Sequence, residues 1–231
     1  MEIIENSEEK IVLRMEANEP LANALRRSVS EIPVLAIDEV EIFKNDSAIY
    51  DEILANRLGL IPLKTEKNMN EKTKIDLKLT KKGPCTVYAD DLKGNADIIF
   101  GKIPITILAE DSKLELVATA TLSKGTEHAK SLPGLCYYRH ILEVTSSPKI
   151  DAVVKDSKGL IEAEKKGNKW ICDLKGAERE DIFAIDKNAI SDSSEILFVI
   201  ESFGNMPAKD ILQKAIKALS DNLDEFEKET K

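Results

Sequence analysis

Side chains that could do chemistry are few in this chain, and their spacing does not suit catalysis. The two histidines, His128 and His140, stand twelve residues apart, outside any His-Glu-x-x-His pattern that would set two metal ligands on one helix face. The acidic pairs Asp38-Glu39 and Asp90-Asp91 are of the type that binds magnesium or divides acid and base roles. Successive side chains on a strand point to opposite faces, so the first pair should not converge on one ion. Asp90-Asp91 is predicted to end a strand and begin a turn.

Motifs that bind phosphate or carry a nucleophile are also missing from the sequence. It contains no Gly-x-x-x-x-Gly-Lys-[Ser/Thr] loop, no Gly-x-Ser-x-Gly elbow and no Gly-x-Gly-x-x-Gly turn. Its cysteines, Cys85, Cys136 and Cys172, are widely separated and form no Cys-x-x-Cys pair. This pattern argues against a disulfide framework and against a zinc or iron–sulfur site within the chain. We therefore expect no catalytic residue, no metal and no cofactor.

Composition places the chain among globular proteins. Of its 231 residues 42% are hydrophobic and 32% charged, and the formal net charge is −9. This charge disfavours a nonspecific grip on nucleic acid or on an anionic membrane, so no direct DNA binding is expected. No apolar run is long enough to cross a bilayer, and the acidic start lacks the basic region of a signal peptide. The expected location is the cytoplasm.

Two amphipathic helices must position whatever surface the chain uses. Residues 19–32 predict the first, with Asn18 as N-cap, Pro20 in the first turn and Pro33 as its stop. One side of this helix is apolar, and the other is polar. The apolar side carries Leu21, Leu25, Val29 and Ile32, and the polar side carries Asn23, Arg26, Arg27 and Ser30.

Residues 206–228 predict the second helix, capped by Asn205 with Pro207 in its first turn. Its apolar side chains recur with a mean period of 3.5 residues, which suits a seam against another helix. Two heptads are too few for a free-standing coiled coil, so the seam should belong to a packed helix pair. The seam consists of Leu212, Ile216, Leu219, Leu223 and Phe226.

Between the helices the sequence predicts mainly strands. Residues 2–16 read as a hairpin, 34–43 as a strand and 51–58 as a helix ending at Gly59. Period-2 patterns from about 70 to 145 predict an antiparallel sheet, with 86–89 returning after 75–79. A hairpin of 160–163 against 170–172 follows. The five apolar residues Ile196–Ile200 predict a strand buried on both faces.

Three stretches of the chain resemble one protein family. They are Asn-Ala-Leu-Arg-Arg at 23–27 with the strand ending at 39–42, the block 54–63, and His128-Ala129-Lys130 before a proline turn. Together they resemble the alpha-like subunits of DNA-directed RNA polymerase, in particular the archaeal D-type member. That family includes the third-largest eukaryotic subunit and the N-terminal domain of bacterial alpha. Ser131 departs from the family pattern, which has tryptophan after the lysine.

The resemblance implies an α+β fold with a discontinuous alpha-type dimerisation domain, made of a sheet and two interface helices. This domain would comprise 1–45 and 192–231, interrupted by a mainly antiparallel β insert domain at 46–150. Residues 151–191 would be a small, degenerate ferredoxin-like insert, the remnant of an iron–sulfur domain. Only Cys172 lies there, and one thiolate cannot hold a cluster that needs three or four.

The resemblance also implies partners and the residues that meet them. The chain would be a noncatalytic assembly subunit that pairs with subunit L, recruits subunits N and P and docks the second-largest catalytic subunit. Asn23, Arg26 and Arg27 would dock that large subunit, and Arg57, His128 and Lys130 would make insert-domain contacts. Subunit L would meet Leu21, Leu25, Val29, Ile32, Leu212, Ile216, Leu219, Leu223 and Phe226.

A second hypothesis is a homodimeric protein-binding module that uses the same helices. Adding subunit L would separate the two hypotheses. An iron–sulfur redox protein is disfavoured by the cysteine count.

Overall fold

Three antiparallel sheets and five helices organise the residues 1–230 that the computed structural model describes. Short 3-10 turns at Val29–Glu31, Ala89–Asp91 and Ala129–Ser131 connect some of the elements. In chain order the elements are β1 (Glu2–Asn6), β2 (Lys10–Glu16), α1 (Glu19–Ser28), β3 (Val34–Asn45), α2 (Asp51–Gly59), β4 (Lys74–Lys82), β5 (Cys85–Tyr88), β6 (Pro104–Leu108), β7 (Lys113–Ser123), β8 (Gly134–Thr145), α3 (Pro148–Asp156), β9 (Glu164–Lys166), β10 (Lys169–Cys172), α4 (Gly176–Ile185), β11 (Ile190–Ser202) and α5 (Ala208–Glu229).

The largest sheet has six strands in the order β1-β2-β11-β8-β10-β9. Its central strand β11 pairs with β2 and β8, placing Phe198 between Leu13 and Tyr138. All five residues of Ile196–Ile200 are buried. Alternate side chains enter two different cores, one under the helices and one on the opposite face. The prediction of a strand buried on both faces is confirmed, and so is the β1–β2 hairpin.

Helices α1 and α5 pack against each other on one face of this six-stranded sheet. We call the sheet and these two helices the sheet body. The predicted cap of α1 is confirmed, because Asn18 Oδ1 accepts a hydrogen bond from the Leu21 amide at 3.1 Å. The helix tightens into the 3-10 turn Val29–Glu31 and stops before Pro33, as the proline predicts.

The predicted cap of α5 is wrong. Asn205 is buried, with 4% of its surface exposed, and its Nδ2 donates to the Leu63 carbonyl at 2.9 Å instead of capping the helix. The N-cap position is Pro207, without a side-chain hydrogen bond to the first turn. The Ala208 amide donates instead to the Glu8 carbonyl at 2.8 Å.

A second body, the insert body, spans residues 34–123. It consists of the three-stranded sheet β3-β7-β4, the two-stranded ribbon β5-β6 and helix α2, around one apolar core. Strand β5 was expected to return beside β4, but it pairs with β6, with Val87 opposite Thr106. The turn at Gly83 packs so closely that an added Cβ would lie 1.9 Å from the Ala109 carbonyl oxygen, and it directs the chain away from β4.

Two strands pair outside the domain to which the sequence assigned them. Strand β3, assigned to the dimerisation domain within 1–45, pairs with β7 of the insert body. Strand β8, assigned to the insert within 46–150, pairs with β11 in the six-stranded sheet. The reason is that sheet membership depends on pairing between distant segments, which a pattern along the chain does not reveal.

Residues 148–189 form a third apolar cluster, built on the β8 and β10 side of the large sheet. Its helices α3 and α4 were not predicted. Trp170 is buried there, and its Nε1 donates to Asp151 Oδ1 at 2.8 Å. The predicted hairpin exists with a different first strand, because Lys165 lies opposite Trp170 and the turn falls at 167–168. Residues 160 and 161 instead pack against the back of the large sheet.

Candidate partner-binding surface

The exposed apolar surface begins where α5 leaves its own core. Its buried residues, Ala208, Ile211 and Ala215, all lie in the first eight positions of a 22-residue helix. At 1.5 Å per residue the helix is about 33 Å long, so more than half of it extends beyond the last buried residue. None of the residues after Ala215 in α5, its distal half, is buried.

One face of that distal half is apolar. Ile216, Leu223 and Phe226 expose 50%, 61% and 68% of their surface, and Leu219 is half-buried. Given 3.6 residues per turn, these four side chains and Leu212 fall within an arc of roughly 80°. A narrow apolar stripe of this kind is typical of a helix that packs against another helix.

Helix α1 contributes less to this surface than expected. Leu21 is 42% exposed and Leu25 is half-buried, so both can reach a partner. Val29 and Ile32, also expected at the partner interface, are 2% and 1% exposed and lie in the chain's own core. The 3-10 turn carries the backbone back toward β3 at this point, which encloses both side chains.

The polar side of α1 carries two arginines in different states. Asn23 Oδ1 accepts hydrogen bonds from Arg26 Nε at 3.2 Å and Arg26 Nη2 at 2.9 Å. Burial raises the pKa of the nearby Cys136 thiol to about 12, and the positive charge of Arg26 opposes that shift. Arg27 is exposed and makes no side-chain hydrogen bond or ion pair with the described part of the chain. Its guanidinium is thus available to a carboxylate or carbonyl.

The three residues expected to make insert-domain contacts all have partners inside the chain. Arg57 Nη2 donates to the Pro104 carbonyl at 2.6 Å. Lys130 Nζ donates to the Ile37 carbonyl at 2.8 Å, and its side chain is 15% exposed. His128 Nδ1 accepts from the Lys130 amide at 3.0 Å and so caps a 3-10 turn. His128 and Lys130 also line a small cavity of about 110 Å³.

Acidic and sulfur-containing groups do not converge anywhere in residues 1–230 to form a cluster that could hold a metal ion. Asp38 lies 3.6 Å from Lys130 Nζ, and Asp91 accepts from Lys81 Nζ at 2.6 Å. Burial acts to raise the pKa of Asp91, but the hydrogen bonds from Lys81 and the Tyr88 amide outweigh it, and the pKa is lowered. Burial raises the pKa of the Cys172 thiol to about 11. Within the same residues, no helix is long and apolar enough to span a bilayer.

Comparison with known families first defines the class of protein. Residues 23–135 match the family described as the RNA polymerase Rpb3/RpoA insert domain. This range begins in α1, covers the whole insert body and ends at the start of β8. The chain thus contains a region similar to the insert domain of Rpb3/RpoA-type polymerase subunits.

Individual relatives then define the family. The chain is 33% identical to the DNA-directed RNA polymerase subunit Rpo3 of Pyrococcus horikoshii, over 98% of this chain and 95% of that protein. Identity to the Rpo3 subunit of Pyrococcus furiosus is 34%, over 98% and 95%. For Thermococcus kodakarensis Rpo3 it is 34%, over 90% and 88%. The chain belongs to the Rpo3 family of DNA-directed RNA polymerase subunits, which confirms the family resemblance.

Proposed function

We propose that this chain is a noncatalytic assembly subunit of DNA-directed RNA polymerase, at work in the cytoplasm. It forms an alpha-like heterodimer with subunit L and then docks the large subunits that hold the active site. The observation that carries the proposal is the apolar row at 216, 223 and 226, exposed on a helix whose last buried residue is Ala215.

The strength of that row is consistent with a helix-to-helix contact. Fully burying a large apolar side chain contributes about 1.5–3 kcal/mol. Three side chains that are half or more exposed would together contribute about 3–6 kcal/mol on binding, before the cost of association. Leu21 and Leu25 would extend the same contact onto α1. A partner helix with a matching 3.5-residue stripe fits this surface.

Other surfaces of the chain serve the later steps of assembly. The exposed Arg27 and the Asn23-Arg26 pair dock the second-largest subunit, since arginine forks suit carboxylates and carbonyls at interfaces. Subunits N and P bind the insert body, whose surface Arg57, His128 and Lys130 hold in shape through internal hydrogen bonds. The chain itself makes no DNA contact, in keeping with its net charge of −9.

A single substitution on α5 tests the heterodimer. Leu223→Asp places a charge in the apolar row, and it should abolish co-purification with co-expressed, tagged subunit L. The fold should survive, because Leu223 is 61% exposed and touches no core. Asn222→Asp adds the same charge one position away and should leave co-purification unchanged.

Recovery of Leu223→Asp with subunit L at the wild-type level would contradict the proposal. A wild-type homodimer that ignores subunit L, and that Leu223→Asp dissociates, would favour the homodimeric module instead.

A further inference from the structure

Residues 63–65 are the point where distant parts of the chain meet. The Leu35 amide, at the start of β3, donates to Thr65 Oγ1 at 3.0 Å. The Thr65 amide donates to the Asn205 carbonyl at 2.9 Å, and Asn205 Nδ2 donates back to the Leu63 carbonyl at 2.9 Å. Asn205, three positions before α5 begins, is thereby hydrogen-bonded to both ends of a three-residue segment of the insert body.

The hydrogen bond between the Asn205 side chain and the Leu63 carbonyl is buried. Asn205 is 4% exposed and Leu63 is fully buried, so neither water nor another side chain can easily replace the bond between them. Removing one partner of a buried hydrogen bond leaves the other unsatisfied, which costs about 1–3 kcal/mol. The neighbouring Gly204 has a φ of +95°, and a Cβ there would lie 2.8 Å from Ile99 Cγ2, so the turn before Asn205 sits directly against the insert body.

The other attachments between the two bodies lie together. The chain crosses from the sheet body to the insert body between α1 and β3, and it returns between β7 and β8. These crossings touch each other, because the Thr126 amide donates to the Ser30 carbonyl at 3.2 Å. Because the two crossings meet at one place, an attachment at another place adds a separate constraint on the angle between the bodies.

A cleft of about 630 Å³ opens between the bodies beside Asn205, which is one of its lining residues. Glu8, Glu9, Met206 and Lys214 line it on the sheet side, and Thr65 and Ile99 line it on the insert side. The ion pair that crosses it, Lys67 Nζ to Asp210 Oδ2 at 3.4 Å, involves a lysine side chain that is 85% exposed. Such a surface pair contributes little, so the buried amide is the stronger tie.

We propose that Asn205 is a positioning residue that fixes the direction of α5 relative to the insert body. Helix α5 carries the partner row, and the insert body carries other candidate surfaces. A fixed angle between them lets two partners bind at once in register. The positional claim stands on these contacts alone, whereas its consequence for assembly rests on the function proposed above.

Spin-label distance measurements on the full chain test the positional claim. Labels at Ser220→Cys on α5 and Thr80→Cys on β4, both exposed, report the angle between the bodies. Cys85 is replaced by serine. A chain with Cys85→Ser but without the two introduced cysteines is treated with the label in parallel, and it shows whether Cys136 or Cys172 reacts.

The doubly labelled chain with Asn205 intact, which we call the background chain, should give one narrow distribution of label-to-label distances. The same chain with Asn222→Asp should give one as well. Asn205→Ser, which removes the amide without adding charge, should broaden or shift that distribution while the far-UV circular dichroism and a cooperative melt stay native. Asn205→Asp, measured in parallel, should act in the same direction. A folded Asn205→Ser chain with the narrow distance of its background would overturn the proposal, even if Asn205→Asp does not fold.

Co-purification with the partner subunits distinguishes a failure of the Asn205 proposal from a failure of the proposed function. Without labels, Asn205→Ser should still co-purify with subunit L, whereas its recovery of the second-largest subunit should fall about tenfold, the ratio that corresponds to losing about 1.4 kcal/mol. Undiminished recovery of that subunit would overturn the assembly consequence. Leu223→Asp should show the opposite pattern, with the native distance and no subunit L. If the wild-type chain does not bind subunit L, the proposed function fails, and the distances still decide the role of Asn205.

Discussion

At the scale of single residues, the basic side chains singled out by the sequence fall into two groups. One group hydrogen-bonds to carbonyls inside the chain, and the other lies exposed on α1. Arg57 and Lys130 donate to carbonyls of the insert body, so their charge is used inside the chain. Arg26 bonds only to Asn23 one turn earlier, and Arg27 remains exposed. The exposed arginines of α1, which make no bond outside their own helix within residues 1–230, are therefore the better candidates for contact with a large subunit.

Replacing both Arg26 and Arg27 by alanine should separate two steps of assembly. The pair with subunit L should form normally, because neither guanidinium lies in the apolar row. Binding of the second-largest subunit should weaken by about tenfold or more, since hydrogen bonds to charged groups contribute about 1.5–3 kcal/mol each. Pull-down of the preformed pair measures this, with Arg179→Ala on α4 as control. Equal capture by the double variant and the control would rule out the docking role.

His140 connects β8 to the first turn of α1 through a hydrogen bond with Glu19. Its hydrogen bond with Glu19, at 2.9 Å from Nε2 to Oε1, raises the pKa of the ring, although burial opposes the shift. The pair therefore stabilises the fold below about pH 6.5, the ordinary pKa of histidine, and this contribution is lost as pH rises through the raised value. Being partly exposed, it stays within about 1 kcal/mol.

Urea unfolding checks this pH dependence. Glu19→Gln should lower the free energy of unfolding more at about pH 5.5 than at about pH 9, where the ring is neutral in both folded and unfolded chains. Glu225→Gln, on the exposed end of α5, should show no such difference between the two conditions. A deficit of Glu19→Gln that is the same at both pH values would argue against the ion pair.

At the scale of elements, local signals predicted some pieces of the fold and failed on others for identifiable reasons. The cap at Asn18 and the stop at Pro33 act through neighbouring backbone, so α1 could be predicted from its own sequence. Asn205 carries the same type of cap signal, yet its amide bonds to Leu63, 142 positions away. The assignment of β3 and β8 to their sheets likewise depends on pairing between distant segments. Helix α3 was missed although its start is locally encoded by Ser147 as N-cap.

The candidate surface was predictable to the same extent as its helices. A 3.5-residue period along α5 fixes which side chains share a face, and Ile216, Leu223 and Phe226 on that face are exposed. It could not distinguish Leu223, which is exposed, from Val29, which is buried, since both lie on apolar stripes. That distinction depends on where each helix leaves the core.

Central strand β11 should dominate the stability of the sheet body. Phe198 is 1% exposed, lies between two strands and packs under both helices, so Phe198→Ala should lower the free energy of unfolding by about 3–5 kcal/mol. Phe203→Ala makes the same change just beyond the strand, where 47% of the side chain is exposed, and should cost far less. Denaturant unfolding of the two variants compares them directly, and similar losses would show that β11 is not central to the core.

At the scale of the whole molecule, the chain presents its surfaces on separate bodies. The sheet body carries the α5 row and the α1 arginines, and the two chain crossings to the insert body meet beside Ser30. The chain belongs to the Rpo3 family over nearly its full length. Its exposed features, an apolar row on α5 and the Arg27 guanidinium on α1, are of the kind that contact protein partners. This combination of features supports a role in organising larger subunits.

Native mass spectrometry of the purified wild-type chain, alone and after mixing with subunit L, tests that role most directly. We predict a complex of one copy of each chain, formed at the expense of every species seen in the chain alone. A homodimer that persists unchanged when subunit L is added would contradict the account.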